Sequence, residues 1–156
     1  MSTFSFPFAP APRASTRGPR TGGGYGRDLS CRGRLTTTRM VGGVALLVDS
    51  IVRRLSTPRG TLYGGAEESA YGIDLAAYVG AVGVPVALAA LPSVVESELL
   101  KDPRIASAVV TTSQSATTEG IAIEVRIRVT PASELATFDL TLAVSAVKVE
   151  LIGGMP

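Results

Sequence analysis

Residues 121–129 read Ile-Ala-Ile-Glu-Val-Arg-Ile-Arg-Val, and this stretch decides the fold. Ile121, Ile123, Val125, Ile127 and Val129 place a β-branched side chain at every second position. Glu124, Arg126 and Arg128 take the alternate positions. Successive side chains of a strand point to opposite faces, so this is a half-buried strand with one face on a core. Residues 106–112 form an earlier strand. Downstream, Phe138, Leu140, Leu142 and Val144 resume the alternation. The apolar phase then slips, and Val147, Val149 and Leu151 continue it one residue out of step. Read as one long strand over 137–151, the slip demands a β-bulge or bend near 145–147. The expectation is a three-stranded antiparallel sheet over 105–152.

Upstream of residue 105 the period is helical. Val41, Val44, Leu47, Val48, Ile51, Val52 and Leu55 recur at spacings of three and four, with Thr36, Thr37 and Thr38 as candidate N-caps. Pro58 ends this helix, because the residue before a proline is pushed out of helical backbone. Residues 61–71 read as a loop, 74–79 as a short helix, and 85–100 as a helix kinked or broken at Pro92. The fold class is α+β: an extended N-terminal tail, two to four short helices, then the sheet. One α+β domain covers 25–156, with its helical part at 25–104. Residues 1–24 are Pro-, Gly- and Arg-rich and too poor in apolar surface to fold alone.

Composition removes several chemistries. The 156-residue chain has no His and one cysteine, Cys31. Imidazole catalysis, histidine metal sites, intrachain disulfides and Cys-cluster zinc sites are therefore excluded. The net charge of +2 is uneven. Residues 1–40 hold seven Arg and one Asp, a net of +6, and residues 41–156 hold eight basic and twelve acidic residues, a net of −4. A basic arm on an acidic body favours nucleic acid, anionic lipid or an acidic protein surface. Residues 75–95 are uncharged and long enough to span a bilayer, but Gly80, Gly83, Pro85 and Pro92 interrupt them and their flanks are acidic. A buried pair of helices fits better.

Candidate catalytic groups read as structural. Gly22-Gly23-Gly24-Tyr25-Gly26 lacks a preceding strand and a following Gly-Lys-Ser/Thr, so it reads as a hinge and not as a phosphate loop. The pairs Glu67/Glu68 and Glu96/Glu98 do not face each other on a helix and read as solvated acids. Cys31 has arginines nearby but no base. No cofactor is expected.

Three features point to interaction instead. Asp102-Pro103-Arg104 forms a rigid corner between helix and sheet, from which Arg104 is expected to project a forked cation; a solvated helix stop is the plain alternative. The strand over 137–151 is far longer than usual and leaves an edge that invites a partner strand. On that reading Phe138, Leu140 and Leu142 face this protein's own core, and Val147 and Val149 meet a different surface. Phe4, Phe6 and Phe8 alternate in the tail and either plug into a neighbour or fold back.

The order of these signals resembles the small baseplate wedge proteins of contractile phage tails, sheath initiators related to the TssE subunit of type VI secretion baseplates. Tyr25-Gly26-Arg27-Asp28-Leu29 resembles the family's aromatic-Gly-x-Asp-Leu opening. Arg53 to Leu62 resembles its helix followed by a Thr-x-x-Gly turn, and Tyr71-Gly72-Ile73-Asp74-Leu75 its second aromatic-Gly step. Lys101-Asp102-Pro103-Arg104-Ile105 resembles its acidic-Pro-Arg signature, with Asp where Glu is usual. The resemblance spans 25–151 and leaves out the tail. It implies a non-enzymatic virion protein of the tail baseplate, assembled in the host cytoplasm. The implied partners are a helical bundle of larger wedge subunits at the Asp102–Arg104 corner and the first ring of tail sheath protein at the sheet. Hub or tube-proximal proteins are candidates for the tail, with neither nucleic acid nor membrane as a partner. Rival readings are a peptidoglycan hydrolase, after a "lysozyme" label some relatives carry, and a basic-arm nucleic-acid or membrane binder.

Overall fold

A computed structural model describes residues 26–29, 40–117, 120–133 and 135–155. The tail with Phe4, Phe6 and Phe8, together with Cys31 and Thr36–Thr38, lies outside the described residues. The architecture is α+β. A short ribbon pairs β1 (Arg27–Leu29) antiparallel with β2 (Met40–Gly42), and Arg27 lies opposite Gly42. Helix α1 (Gly43–Ser56) follows, then α2 (Ala66–Ser69), α3 (Leu75–Val82) and α4 (Val84–Leu99). The chain ends in a four-stranded antiparallel meander in the order β3 (Ile105–Thr117), β4 (Gly120–Pro131), β5 (Phe138–Val144) and β6 (Val149–Met155).

The sheet has four strands, not three, and the long strand over 137–151 is a hairpin. Val144 pairs with Val149 and Leu142 with Leu151, on either side of a turn at 145–148. Ser145 N donates to Lys148 O at 2.9 Å, and Ser145 Oγ accepts from the N–H of Val147 and Lys148. A four-residue loop explains the phase slip. It sets residues 144 and 149 directly opposite, so two positions of unlike parity share one face. Val149 and Leu151 thus join Phe138, Leu140, Leu142 and Val144 on the inner face, while Val147 stands exposed at the turn. A bulge does occur, but further on. Thr141 pairs with Gly153 while Leu142 pairs with Leu151, so Ile152 is the extra residue.

The inner face of β4 and β5 (Ile123, Val125, Ile127, Val129, Phe138, Leu140, Leu142, Val144) packs against Leu47, Ile51, Leu55, Leu75, Val79, Leu91, Val95 and Leu99. Four features differ from the sequence expectation. Val41 belongs to β2, and α1 starts after an extended Gly42. The loop over 61–71 contains α2. Helix α3 runs on to Val82, with the Asp74 carboxylate accepting from Ala77 N at 3.3 Å as its cap. Helix α4 continues through Pro92 unbroken. Proline removes the bond that would end on the carbonyl four residues earlier, which is Leu88. Thr112 of β3 supplies the missing donor, its Oγ1 donating to Leu88 O at 3.0 Å. A strand hydroxyl repairs the helix defect and ties α4 to the sheet.

Candidate docking corner and open sheet edge

The corner is built where α4 ends. Asp102 N donates to Leu99 O and Ile105 N to Asp102 O, so the chain turns tightly into β3. The Asp102 side chain is buried. Its Oδ1 accepts from Arg104 N at 3.0 Å and Arg104 Nε at 2.9 Å, and its Oδ2 accepts from Arg104 Nη2 at 2.6 Å. Arg104 Nη2 also donates to Ser50 Oγ of α1 at 2.5 Å. Arg104 therefore does not project outward as the sequence implied. Its planar fork folds back onto its own carboxylate two residues away, with 30% of the side chain left at the surface. Burial pushes the Asp102 carboxyl up; hydrogen bonds from the Arg104 side chain and backbone, with the charges of Arg104 and Arg54, more than offset this and hold it below the usual aspartate range.

Next to this pair lies a group the sequence reading missed. Glu98 is 2% exposed. Its Oε1 accepts from Arg54 Nη1 and from Gly72 N, both at 3.1 Å. Its Oε2 accepts from Arg59 Nη2 at 2.9 Å and Lys101 Nζ at 2.6 Å. One carboxylate thus joins α1, the loop after it and the end of α4. Burial alone would raise the Glu98 carboxyl, but the hydrogen bonds from Lys101, Arg54 and Gly72 outweigh it and lower it. Arg59 Nε also donates to Gly72 O at 3.1 Å. The Arg54 guanidinium stacks on Tyr71, 4.3 Å from the ring centroid. Burial, with the Asp102 charge, raises the Tyr71 hydroxyl despite the opposing Arg54 and Arg53 charges. Gly72 is required in this place. Its φ is +89°, and a Cβ there would strike the Thr57 carbonyl.

The sequence held a signal for Glu98. It sits seven residues after Leu91 and three after Val95, on the buried face of α4. Glu96 is structural as well, its Oε1 accepting from Val110 N at 2.9 Å. Glu67 and Glu68 are exposed, and Glu68 Oε2 accepts from Gly65 N to start α2.

The second region is the sheet rim. On the outer edge of β3, α4 reaches Val110 and Thr112, with Glu96 Oε1 accepting from Val110 N and Thr112 Oγ1 donating to Leu88 O; among the described residues no strand pairs with this edge. Among the described residues no strand pairs with the outer side of β6. The Ser145–Lys148 bond fixes the alternation of the β5–β6 ladder, so the backbone N–H groups of Val149 and Leu151 point away from β5. Phe138, Leu140 and Leu142 lie in the core, Val149 on this edge and Val147 beside it at the turn. Among the described residues no group of three metal-ligating side chains occurs, and no helix is long and apolar enough to cross a membrane. No family model, curated protein or solved structure matches the chain.

Proposed function

We propose that this chain is a non-enzymatic structural subunit of a contractile tail baseplate, residing in the virion tail. In this reading the corner at Asp102–Arg104 docks on a helical bundle of larger wedge subunits. The sheet accepts a strand from the first ring of sheath protein and so starts sheath assembly. The observation that carries it is the bare rim of β6, where no strand pairs among the described residues and outward donors remain at Val149 and Leu151, whereas α4 occupies β3 at Val110 and Thr112. A bare edge is a liability in a monomer and an asset in an assembly, because strand addition joins chains by main-chain hydrogen bonds. The Ile152 bulge limits the usable edge to the stretch before it, a short register.

Val149→Pro tests this. It deletes an outward donor and leaves the β5 ladder intact, whereas Glu150→Pro removes an inward donor and breaks the sheet. Electron microscopy of tails carrying Val149→Pro should show complete wedges without extended sheath. Sheath of normal length on such particles removes strand sharing from the reading.

A further inference from the structure

We infer that the surface over Glu98 is a docking site for a carboxylate-bearing, amphipathic segment of a partner protein, held by Arg59 and Lys101 beside the exposed Leu100. This deepens the docking half of the proposed function and takes from it only that a protein partner covers this corner. Among the described residues Glu98 is the single carboxylate bonded to Arg54, Arg59 and Lys101, so this network carries two positive charges in excess. Both Glu98 oxygens are already saturated, with two donors each, which fills the acceptor capacity of a carboxylate. The shortage of acceptors is visible inside the site, where the buried Arg54 Nε has none. The excess charge comes to the surface at Arg59, 54% exposed, and Lys101, 43% exposed. The hydrogen bond from Arg59 to Gly72 O fixes the first, and Glu98 fixes both, so much of their ordering cost is met before a partner arrives.

The chemistry of the occupant follows from what surrounds the two cations. Leu100 adjoins Lys101 and is among the exposed large apolar residues. A segment that carries acids beside an apolar side chain is complementary to two exposed cations, one of them next in the chain to an exposed leucine. A long run of phosphates is drawn to the net +6 of residues 1–40 and not to two cations on a body of net −4, whereas a pair of carboxylates matches two cations.

The test uses the full-length, ¹⁵N-labelled chain and a helical peptide carrying two glutamates one turn apart around a leucine, beside a twin with glutamines. The glutamate peptide should shift the amides of Arg59, Gly72, Leu100 and Lys101 saturably, and moderate salt should weaken it. The double variant Arg59→Gln/Lys101→Gln, with its remaining spectrum unchanged, should bind at least about tenfold more weakly. Lys101→Gln alone serves if the double variant does not fold. Equal shifts with both peptides, no shifts with either, or displacement of the peptide from these amides by a mixed-sequence single-stranded oligonucleotide would each overturn the inference. The baseplate reading stands or falls separately. Peptide binding with the chain absent from purified tails removes that reading alone, and presence in tails without a peptide response removes this inference alone.

Discussion

Truncating Glu98 to alanine is the sharpest perturbation of this fold. The change removes the one partner that Arg54 Nη1 has among the described residues, and Arg54 is 12% exposed with its Nε already lacking an acceptor. A buried cation left without its counter-charge costs about 3–5 kcal/mol. The bonds to Arg59 and Lys101 add little, because both side chains reach water and swing out to it. Gly72 N loses its acceptor too, a further ~1 kcal/mol for a neutral donor. Against a domain stability of ~5–15 kcal/mol this is a large fraction. The total of about 4–6 kcal/mol, with an m-value of ~2 kcal/mol/M, should lower the urea midpoint by about 2–3 M. Glu98→Gln separates charge from bonding: its carbonyl still accepts from Arg54 and Gly72, so it should cost less than alanine. Urea unfolding followed by circular dichroism measures both variants. A loss under ~1 kcal/mol for alanine, or equal losses for the two, would refute the assignment of Glu98 as the buried anchor of three elements.

Further outcomes follow from the same geometry. Gly72→Ala forces a Cβ onto the Thr57 carbonyl at positive φ, and calorimetry should show a loss of at least ~2 kcal/mol. Thr112→Val should cost ~1 kcal/mol by orphaning Leu88 O, and less in a Pro92→Ala background, where the helix supplies its own donor; a double-mutant cycle with no coupling contradicts the repair. Glu98 and Asp102 both hold lowered carboxyl values, so their contribution is full above the ordinary carboxylate range and is lost as pH falls through the folded values. Stability measured from neutral to acid pH should fall in that window, and Glu98→Ala should flatten the slope. Arg104→Ala should destabilise the free domain by ~2–4 kcal/mol, because it strips the fork from buried Asp102; Arg104→Lys, which keeps the charge, should lose less.

Much of the layout was legible in the residues, and the failures have physical causes. The alternation over 121–129 and the three-four spacing from Val44 to Leu55 report one-sided burial directly, and both elements formed. The β5–β6 turn went unseen because Ser145-Ala146-Val147-Lys148 contains no Gly, Pro, Asn or Asp, and a side-chain hydroxyl closes it instead. The ribbon of β1 and β2 has three residues per strand, too few for a period to show. The corner residues were found in sequence, yet the direction of Arg104 was not, since Ser50 comes from 54 positions away. Glu98 was read as solvated beside Glu96 because its partners Arg54 and Arg59 lie 44 and 39 positions upstream. Charge partners at such distances leave no local mark; the apolar stripe through Leu91 and Val95 was the available clue.

The meander has a kinetic consequence. Every pairing in the four-stranded sheet joins neighbours in sequence, across gaps at 118–119, 132–137 and 145–148. Closing such short segments costs little chain entropy, so each hairpin zips locally and templates the next. The helical half is different. Glu98 must find Arg54 across a much longer span before α1 is held in place. The chain is thus built to condense from its C-terminal half, with the strands as a preformed floor on which α1 and its cations settle last. Folding-rate measurements should register substitutions at Ile127 or Leu140 chiefly in the forward rate, and those at Arg54 chiefly in the unfolding rate.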